Sequence, residues 1–199
     1  IMLAKKINKF FILIISILFF NTELLANPKE FISKLTTDAS KVLASSESKD
    51  QKMLKLRNLA DENVDINGIG MYTLGKYRKN LSENQINKYK SLFREYFLKS
   101  FSSRLSEYTD PKIIVLSEEV INKKYTIVFS ILEADEKRPE IKIDWRVYTV
   151  NPEKLLVRDL IIEGLSLART QREEFNSVIQ NGDGNIEVLF QNLREFISK

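Results

Sequence analysis

The stretch Leu155–Phe175, LLVRDLIIEGLSLARTQREEF, contains a strand, a turn and the start of a helix. Aliphatic and polar residues alternate in its first half, which predicts a strand with Asp159 among apolar neighbours on one face. The residues of that face are Leu155, Val157, Asp159 and Ile161. Gly164 then predicts a turn, because glycine accepts backbone conformations that other residues resist. A charged helical pattern follows Ser166, so this segment joins the end of a sheet to a helix.

Three further segments have the alternation of strands, which gives a predicted total of four. The predicted strands are Ile113–Leu116, Tyr125–Leu132, Ile141–Val150 and Leu155–Ile162. Short connections at Asn122-Lys123 and Asn151-Pro152-Glu153 are typical of hairpins and favour an antiparallel sheet.

Helical periodicity occurs on both sides of these strands. The predicted helices are one that starts at Pro28 and reaches Val42, then Asp50–Val64, Ile69–Tyr77, Ser82–Tyr108, Leu167–Gln180 and Ile186–Ile197. A turn is predicted at Asp65–Gly68, and the short helix Ile69–Tyr77 is predicted to break near Gly75. Ser82 and Gln85 fit a capping box at the start of the longest helix. The predicted fold class is therefore α+β, with one curved, four-stranded antiparallel sheet covered on one face by helices and a helical section at the N-terminus.

The N-terminal residues have the pattern of a secretory signal peptide. Lys5, Lys6 and Lys9 precede the apolar run Phe10–Phe20, and Ala26 is a small residue suited to cleavage. We therefore expect a cleavable leader at 1–26 and a single domain at 27–199; an uncleaved N-terminal anchor is the alternative. Removal of the three lysines and one glutamate of the leader would lower the formal charge from +4 to +2. Nucleic-acid-binding proteins usually have a strong basic footprint, so this class is not expected.

The chain contains neither cysteine nor histidine. This composition removes the commonest zinc ligands and the usual Ser-His and Cys-His nucleophile systems. We therefore expect no metal site, no cofactor and no enzymatic activity, although catalysis by Asp, Glu, Lys or Tyr is still open.

The same stretch resembles a phrase typical of the MlaC family (toluene-tolerance auxiliary proteins), V-x-D-V-x-x-E-G-V-S-L-x-x-x-x-R-x-x-F. The matching residues here are Val157, Asp159, Leu160, Glu163, Gly164, Leu165, Ser166, Leu167, Arg172 and Phe175. A second segment, Gly70-x-x-x-Leu74-Gly75-Lys76-Tyr77-Arg78, is similar to that family's A-x-x-x-L-G-x-x-W-R, with Tyr77 in place of tryptophan. The resemblance covers nearly the whole chain after the leader.

The resemblance implies a nuclear-transport-factor-like sheet and a periplasmic phospholipid carrier. Such a protein would shuttle lipid between an outer-membrane lipoprotein complex and an inner-membrane ABC transporter with an MCE domain, and so support outer-membrane lipid asymmetry. It would act as a monomer, with phospholipid as its cargo.

The apolar residues of the longest helix and of two strands are the predicted lipid-binding residues. They are Tyr89, Phe93, Phe97, Phe101, Phe129, Ile131, Trp145 and Val147, together with Leu74 and Leu165. By composition alone they make an ordinary core; the resemblance implies instead that helix and sheet stand apart and that hydrocarbon fills the gap.

The polar residues of the turn are predicted to be structural: Asp159, Glu163, Gly164, Ser166 and Arg172. Asp159 and Arg172 are candidates for a buried ion pair or for contact with a lipid head group, and Ser166 is a candidate helix cap. Lys76, Arg78 and Lys79 either face solvent or meet anionic lipid or a partner. Two other functions remain open, namely an isomerase-like enzyme with Asp159 as the base and an envelope adaptor that binds no lipid.

Overall fold

The computed structural model describes residues 27–136 and 138–199, which form six α-helices and one sheet. The helices are α1 (Pro28–Ala44), α2 (Lys49–Asn63), α3 (Ile66–Thr73), α4 (Glu83–Leu105), α5 (Leu167–Asn181) and α6 (Ile186–Ser198), with a 3-10 helix at Gly75–Lys79. The strands are β1 (Ile113–Asn122), β2 (Tyr125–Leu132), β3 (Ile141–Tyr148), β4 (Leu156–Ile162) and β5 (Leu165–Ser166). The predicted leader, 1–26, lies outside the described residues.

Side-chain caps determine where the helices start. The predicted capping box of α4 is confirmed, since Ser82 and Gln85 each accept a hydrogen bond from the other's backbone amide. Ser48 and Gln51 cap α2 in the same way. The predicted turn at Asp65–Gly68 is wrong, because Asp65 caps α3 by accepting a 2.8 Å hydrogen bond from the Gly68 amide.

The sheet is open, curved and antiparallel, and its strands lie in the order β1-β2-β3-β4-β5. It therefore has five strands rather than the predicted four. Glu163 and Gly164 both have positive φ angles, 50° and 82°, which is the geometry of a tight two-residue hairpin turn. The turn brings Leu165 back against Ile162. A strand of two residues is too short to show alternation, so β5 could not be predicted from the sequence.

One face of the sheet packs against α1. Ile32 of α1 forms a core with Val128, Val147 and Val157, which lie on three neighbouring strands. Trp145 packs on the same core, and its indole Nε1 donates a 2.9 Å hydrogen bond to Ser130 Oγ. This face is therefore filled by side chains of the domain itself.

A β-bulge changes the predicted face of Asp159. The pairing of β3 with β4 shifts between Arg146 and Val147, so that Val157 lies opposite Val147 whereas Asp159 lies opposite Arg146. The predicted alternation of Val157 with Asp159 on one face is therefore wrong, because the extra residue of a bulge reverses the parity of the strand.

The larger core lies among the helices. Helices α3, α4, α5 and α6 contribute to it, and its centre is aromatic. Phe93 of α4 contacts the rings of Tyr89 and Phe175 at centroid distances of 5.7 and 6.2 Å. This aromatic cluster belongs to a helical layer beside β4, not to the sheet.

Candidate functional site

The sheet face opposite α1 contains a concave groove of about 390 Å³. Its lining residues come from all four long strands: Ile121, Asn122, Tyr125, Ile127, Phe129, Asp144, Arg146 and Ile161. Phe129 lies directly opposite Asp144 and Ile127 opposite Arg146, and paired residues share a face of the sheet. The groove therefore runs across the sheet on the side that α1 leaves free.

The groove has an apolar column beside a polar one. On β2, alternate residues from Tyr125 to Ile131 face the groove side, and Phe129 and Ile131 are only half-buried. On β3, the neighbouring column consists of Lys142, Asp144 and Arg146. Such a surface can hold hydrocarbon along β2 while charged groups lie within reach on β3.

Partial burial in the groove raises the pKa of the Asp144 carboxyl, and the nearby Glu163 charge raises it further. Lys142 opposes this shift by favouring the charged form. Asp144 is thus a carboxylate held in a site that disfavours its charge.

We expect Asp144→Asn to make the protein more stable than the wild type at neutral pH. Because the pKa is raised in the folded state, the wild type loses stability as the pH rises through that pKa, and the asparagine variant does not. Urea unfolding of both proteins from acidic to neutral pH measures the difference, which should be smallest at low pH. A difference that grows as the pH falls would contradict the assignment.

Asp159 braces the junction between β4 and α5. Its side chain is 4 % exposed, and both oxygens accept hydrogen bonds, one from Ser166 Oγ at 2.6 Å and one from the Ala168 amide at 3.0 Å. Ser166 in turn caps α5 by accepting a 3.1 Å hydrogen bond from the Arg169 amide, which confirms its predicted role. A carboxylate at a helix N-terminus is also favoured by the helix dipole.

The charged partner of Asp159 differs from the predicted one. Arg146 Nη1 lies 3.9 Å from Asp159 Oδ2. The guanidinium of Arg172 instead lies over the ring of Tyr72, 5.1 Å from its centre. The expected Asp159–Arg172 ion pair is therefore wrong, because α5 directs Arg172 towards α3.

Asp159→Asn should lower the free energy of unfolding by about 1.5–3 kcal/mol, the usual contribution of hydrogen bonds to a charged group. The asparagine side chain has the same shape, but its NH2 group would face one of the two hydrogen-bond donors, Ser166 Oγ or the Ala168 amide. Urea unfolding at neutral pH measures the loss. Asp144→Asn is the matched control, since the same chemical change on the same sheet face should not destabilise. Equal stabilities of the Asp159 variant and the wild type would contradict the bracing role.

The predicted lipid-binding residues lie in four separate places. Helix α4 supplies Tyr89, Phe93, Phe97 and Phe101 to the core among the helices, which also includes the fully buried Leu74. Trp145 and Val147 lie on the α1 face of the sheet, whereas Phe129 and Ile131 lie on the groove face. Leu165 is exposed on β5. The predicted gap between α4 and both strands is therefore not the arrangement of this fold, because α4 packs on α2, α3 and α6.

Several lining residues of the groove were not singled out as site residues: Ile121, Tyr125, Ile127, Asp144, Arg146 and Ile161. The alternation of β2 does place Tyr125 and Ile127 beside Phe129, and this signal was available in the sequence. Asp144 and Arg146 look like ordinary solvent-facing positions of an alternating strand, so only the pairing of the strands associates them with the apolar column.

Two negative observations concern residues 27–136 and 138–199 alone. No three acidic side chains there are grouped closely enough to ligate a metal ion. Within the same ranges, every helix is too short or too polar to cross a lipid bilayer.

Comparison with known proteins gives a family and a fold. A family model described as "MlaC protein" matches residues 31–195. Among solved structures, a phospholipid-binding protein from Ralstonia solanacearum, solved in complex with a phospholipid, is similar to this chain with a TM-score of 0.73. The two are 17 % identical, and the match covers 87 % of this chain and 98 % of the other. The search of curated proteins found no match.

Proposed function

The chain belongs to the MlaC family, and on that premise we propose that it binds phospholipid through its acyl chains and carries it through the periplasm. The proposed route runs between an outer-membrane lipoprotein complex and an inner-membrane ABC transporter with an MCE domain, in support of outer-membrane lipid asymmetry. In this proposal the protein has no enzymatic activity, and phospholipid is its cargo rather than a cofactor.

The observation that carries the proposal is the groove opposite α1. Phe129 and Ile131 remain half-buried on this face of the sheet, whereas the aromatic residues of α4 pack into the helical core. The volume of about 390 Å³ lies within the range of roughly 300–1,000 Å³ that is usual for ligand sites. The solved structure of similar fold contains a phospholipid, which supports the same class of ligand here.

Transfer energetics explain why a carrier is needed. Each methylene moved from water to an apolar site is worth about 0.8 kcal/mol, so an acyl chain of about 16 carbons favours the site by roughly 10 kcal/mol. The apolar column of β2 is the surface that we propose for the chains, with the head group towards solvent. Because the tails supply most of this energy, we expect tolerance of varied head groups.

Release requires a partner for the same reason. The cost of exposing an acyl chain to water prevents simple dissociation, so delivery needs direct contact with a complex that offers an apolar destination. Site-specific crosslinking to the outer-membrane and inner-membrane complexes tests this step. Absence of crosslinks to both complexes in cells would contradict the shuttle.

Native mass spectrometry of the purified protein, followed by lipid extraction, tests the binding function. We expect a stoichiometric mass increment that extraction identifies as phospholipid. A well-folded protein that remains empty after incubation with phospholipid vesicles would contradict it and would favour a scaffolding role.

A further inference from the structure

The surface formed by the end of α3, the 3-10 helix and the start of α5 combines positive charge with exposed apolar side chains. Its cations are Lys76, Arg78, Lys79 and Arg172, and its apolar members are Tyr72, Leu165 and Leu167. We refer to these seven residues as the basic–apolar surface. It lies outside the groove, and its residues line neither the groove nor the α1 face.

Contacts of Arg172 join the three helical elements of this surface. A Cβ atom added at Gly75 would lie 2.9 Å from Arg172 Nε, so the guanidinium of α5 touches the 3-10 helix that carries the three other cations. The same guanidinium lies over the ring of Tyr72. Leu167 precedes Arg172 by five residues, which corresponds to about 7.5 Å along the axis of α5 and about 140° around it.

The cations of this surface are not neutralised by ion pairs within the described residues. Across the ranges 27–136 and 138–199, the ion pairs join other side chains, and Lys76, Arg78, Lys79 and Arg172 take part in none of them. Four of the eight basic side chains in α4 and the sheet are matched by a carboxylate, namely Lys88, Arg94, Arg146 and Arg158. An unneutralised cluster of this kind attracts an anionic surface.

The apolar side chains of this surface protrude. Leu165 is 69 % exposed at the end of the β4–β5 hairpin, and Leu167 is 44 % exposed. Leucine and tyrosine side chains flanked by lysine and arginine are typical of surfaces that rest at the level of lipid head groups. Lysine is depleted in protein interfaces, which makes a protein partner the less favoured occupant here.

We propose that the basic–apolar surface docks directly on an anionic phospholipid bilayer, with its cations on the head groups and its leucines among the upper acyl segments. This inference goes beyond lipid carriage in the groove, because it concerns contact of the protein with the membrane itself. Each basic residue near an anionic membrane contributes about 1 kcal/mol, so three of them correspond to a partition coefficient raised on the order of 100-fold.

Vesicle co-sedimentation tests the proposal. The purified protein should bind vesicles of phosphatidylcholine mixed with phosphatidylglycerol, and bind vesicles of phosphatidylcholine alone much more weakly. Added salt should weaken the binding, because it screens exposed charges. Lys76→Glu, Arg78→Glu and Lys79→Glu combined should lower the partition coefficient on the order of 100-fold.

The matched control is Lys49→Glu, Lys112→Glu and Lys154→Glu combined. These lysines are exposed and lie apart, at the start of α2, before β1 and between β3 and β4, so the variant has the same net charge without altering the basic–apolar surface. It should bind anionic vesicles nearly as well as the wild type. Equal losses in the two variants, equal binding to neutral vesicles, or binding only when membrane protein complexes are present would each overturn the proposal.

Lipid occupancy separates this inference from the proposed function. The triple variant of the basic–apolar surface should retain its bound phospholipid in native mass spectrometry and its unfolding transition in urea, because its three side chains are exposed and lie outside the groove. Normal loading with lost vesicle binding supports the docking surface. Wild-type protein that binds anionic vesicles but carries no phospholipid would contradict groove carriage and leave the docking surface supported.

Discussion

Phe129→Glu should abolish phospholipid loading while the domain remains folded. Phe129 lies at the centre of the apolar column of β2, opposite Asp144 and within the groove. A charge placed against acyl chains costs about 3 kcal/mol, which corresponds to a loss of affinity of roughly a hundredfold or more. The side chain is only half-buried, and a change of strand propensity alone costs at most about 1 kcal/mol. Native mass spectrometry with lipid extraction measures the loss, and urea unfolding measures the stability.

Val120→Glu is the matched control for this prediction. Val120 lies on the neighbouring strand β1 and is 71 % exposed, and its cross-strand partner Thr126 belongs to the opposite face of the sheet. The same substitution there should leave lipid loading unchanged. Ile131→Glu, on the same column as Phe129, should reproduce the loss. Normal loading of both the Phe129 and the Ile131 variants would show that the groove is not the lipid site.

Phe93→Ala should lower the free energy of unfolding by about 3–5 kcal/mol, as expected for a large aromatic side chain removed from a packed core. Phe93 is 2 % exposed and contacts four aromatic rings of the helical layer. Gly70 lies so close to it that an added Cβ atom would be 2.7 Å from Phe93 Cδ1. These close contacts limit how far the cavity can collapse. Urea unfolding with a constant m-value measures the loss.

Phe196→Ala provides the comparison for Phe93→Ala. Phe196 is 38 % exposed on α6 and contacts Tyr96 at a centroid distance of 4.9 Å. Its truncation should cost less than half as much, because part of the ring already contacts water. A loss at Phe93 no greater than the loss at Phe196 would contradict the assignment of the cluster as the main core. Lipid occupancy of the folded Phe93 variant also tests the predicted contact of α4 with acyl chains.

Element types and most boundaries were predictable from the sequence. Tyr125–Leu132 is the second strand in both the prediction and the structure, and α5 and α6 differ from their predicted ends by one residue. These elements have regular periodicity and clear caps, and both are local properties of the chain. The first strand was predicted too short, since two bulges interrupt its alternation after Val115.

The candidate site was harder to predict because it depends on which faces meet. Alternation within β2 shows that Ile127, Phe129 and Ile131 share a face, and alternation within β3 shows the same for Trp145 and Val147. Neither pattern tells whether the two sets lie on the same side of the sheet. Phe129 pairs with Asp144, so the β2 set lies on the opposite side of the sheet from Trp145 and Val147. The predicted lipid-binding residues of the two strands are therefore divided between the two faces.

By itself, the sequence determined the family, the α+β class and the order of the elements, because motifs, caps and periodicity are written in consecutive residues. The segment Leu155–Phe175 gave the turn at Gly164 and the cap at Ser166 in this way. Only the tertiary structure decided that Asp159 is buried beside Arg146, and that the groove lies opposite α1 while the aromatic residues of α4 fill a helical core. Strand register, bulges and helix packing join residues far apart in the chain, and a change of one residue in register exchanges the two faces of a sheet.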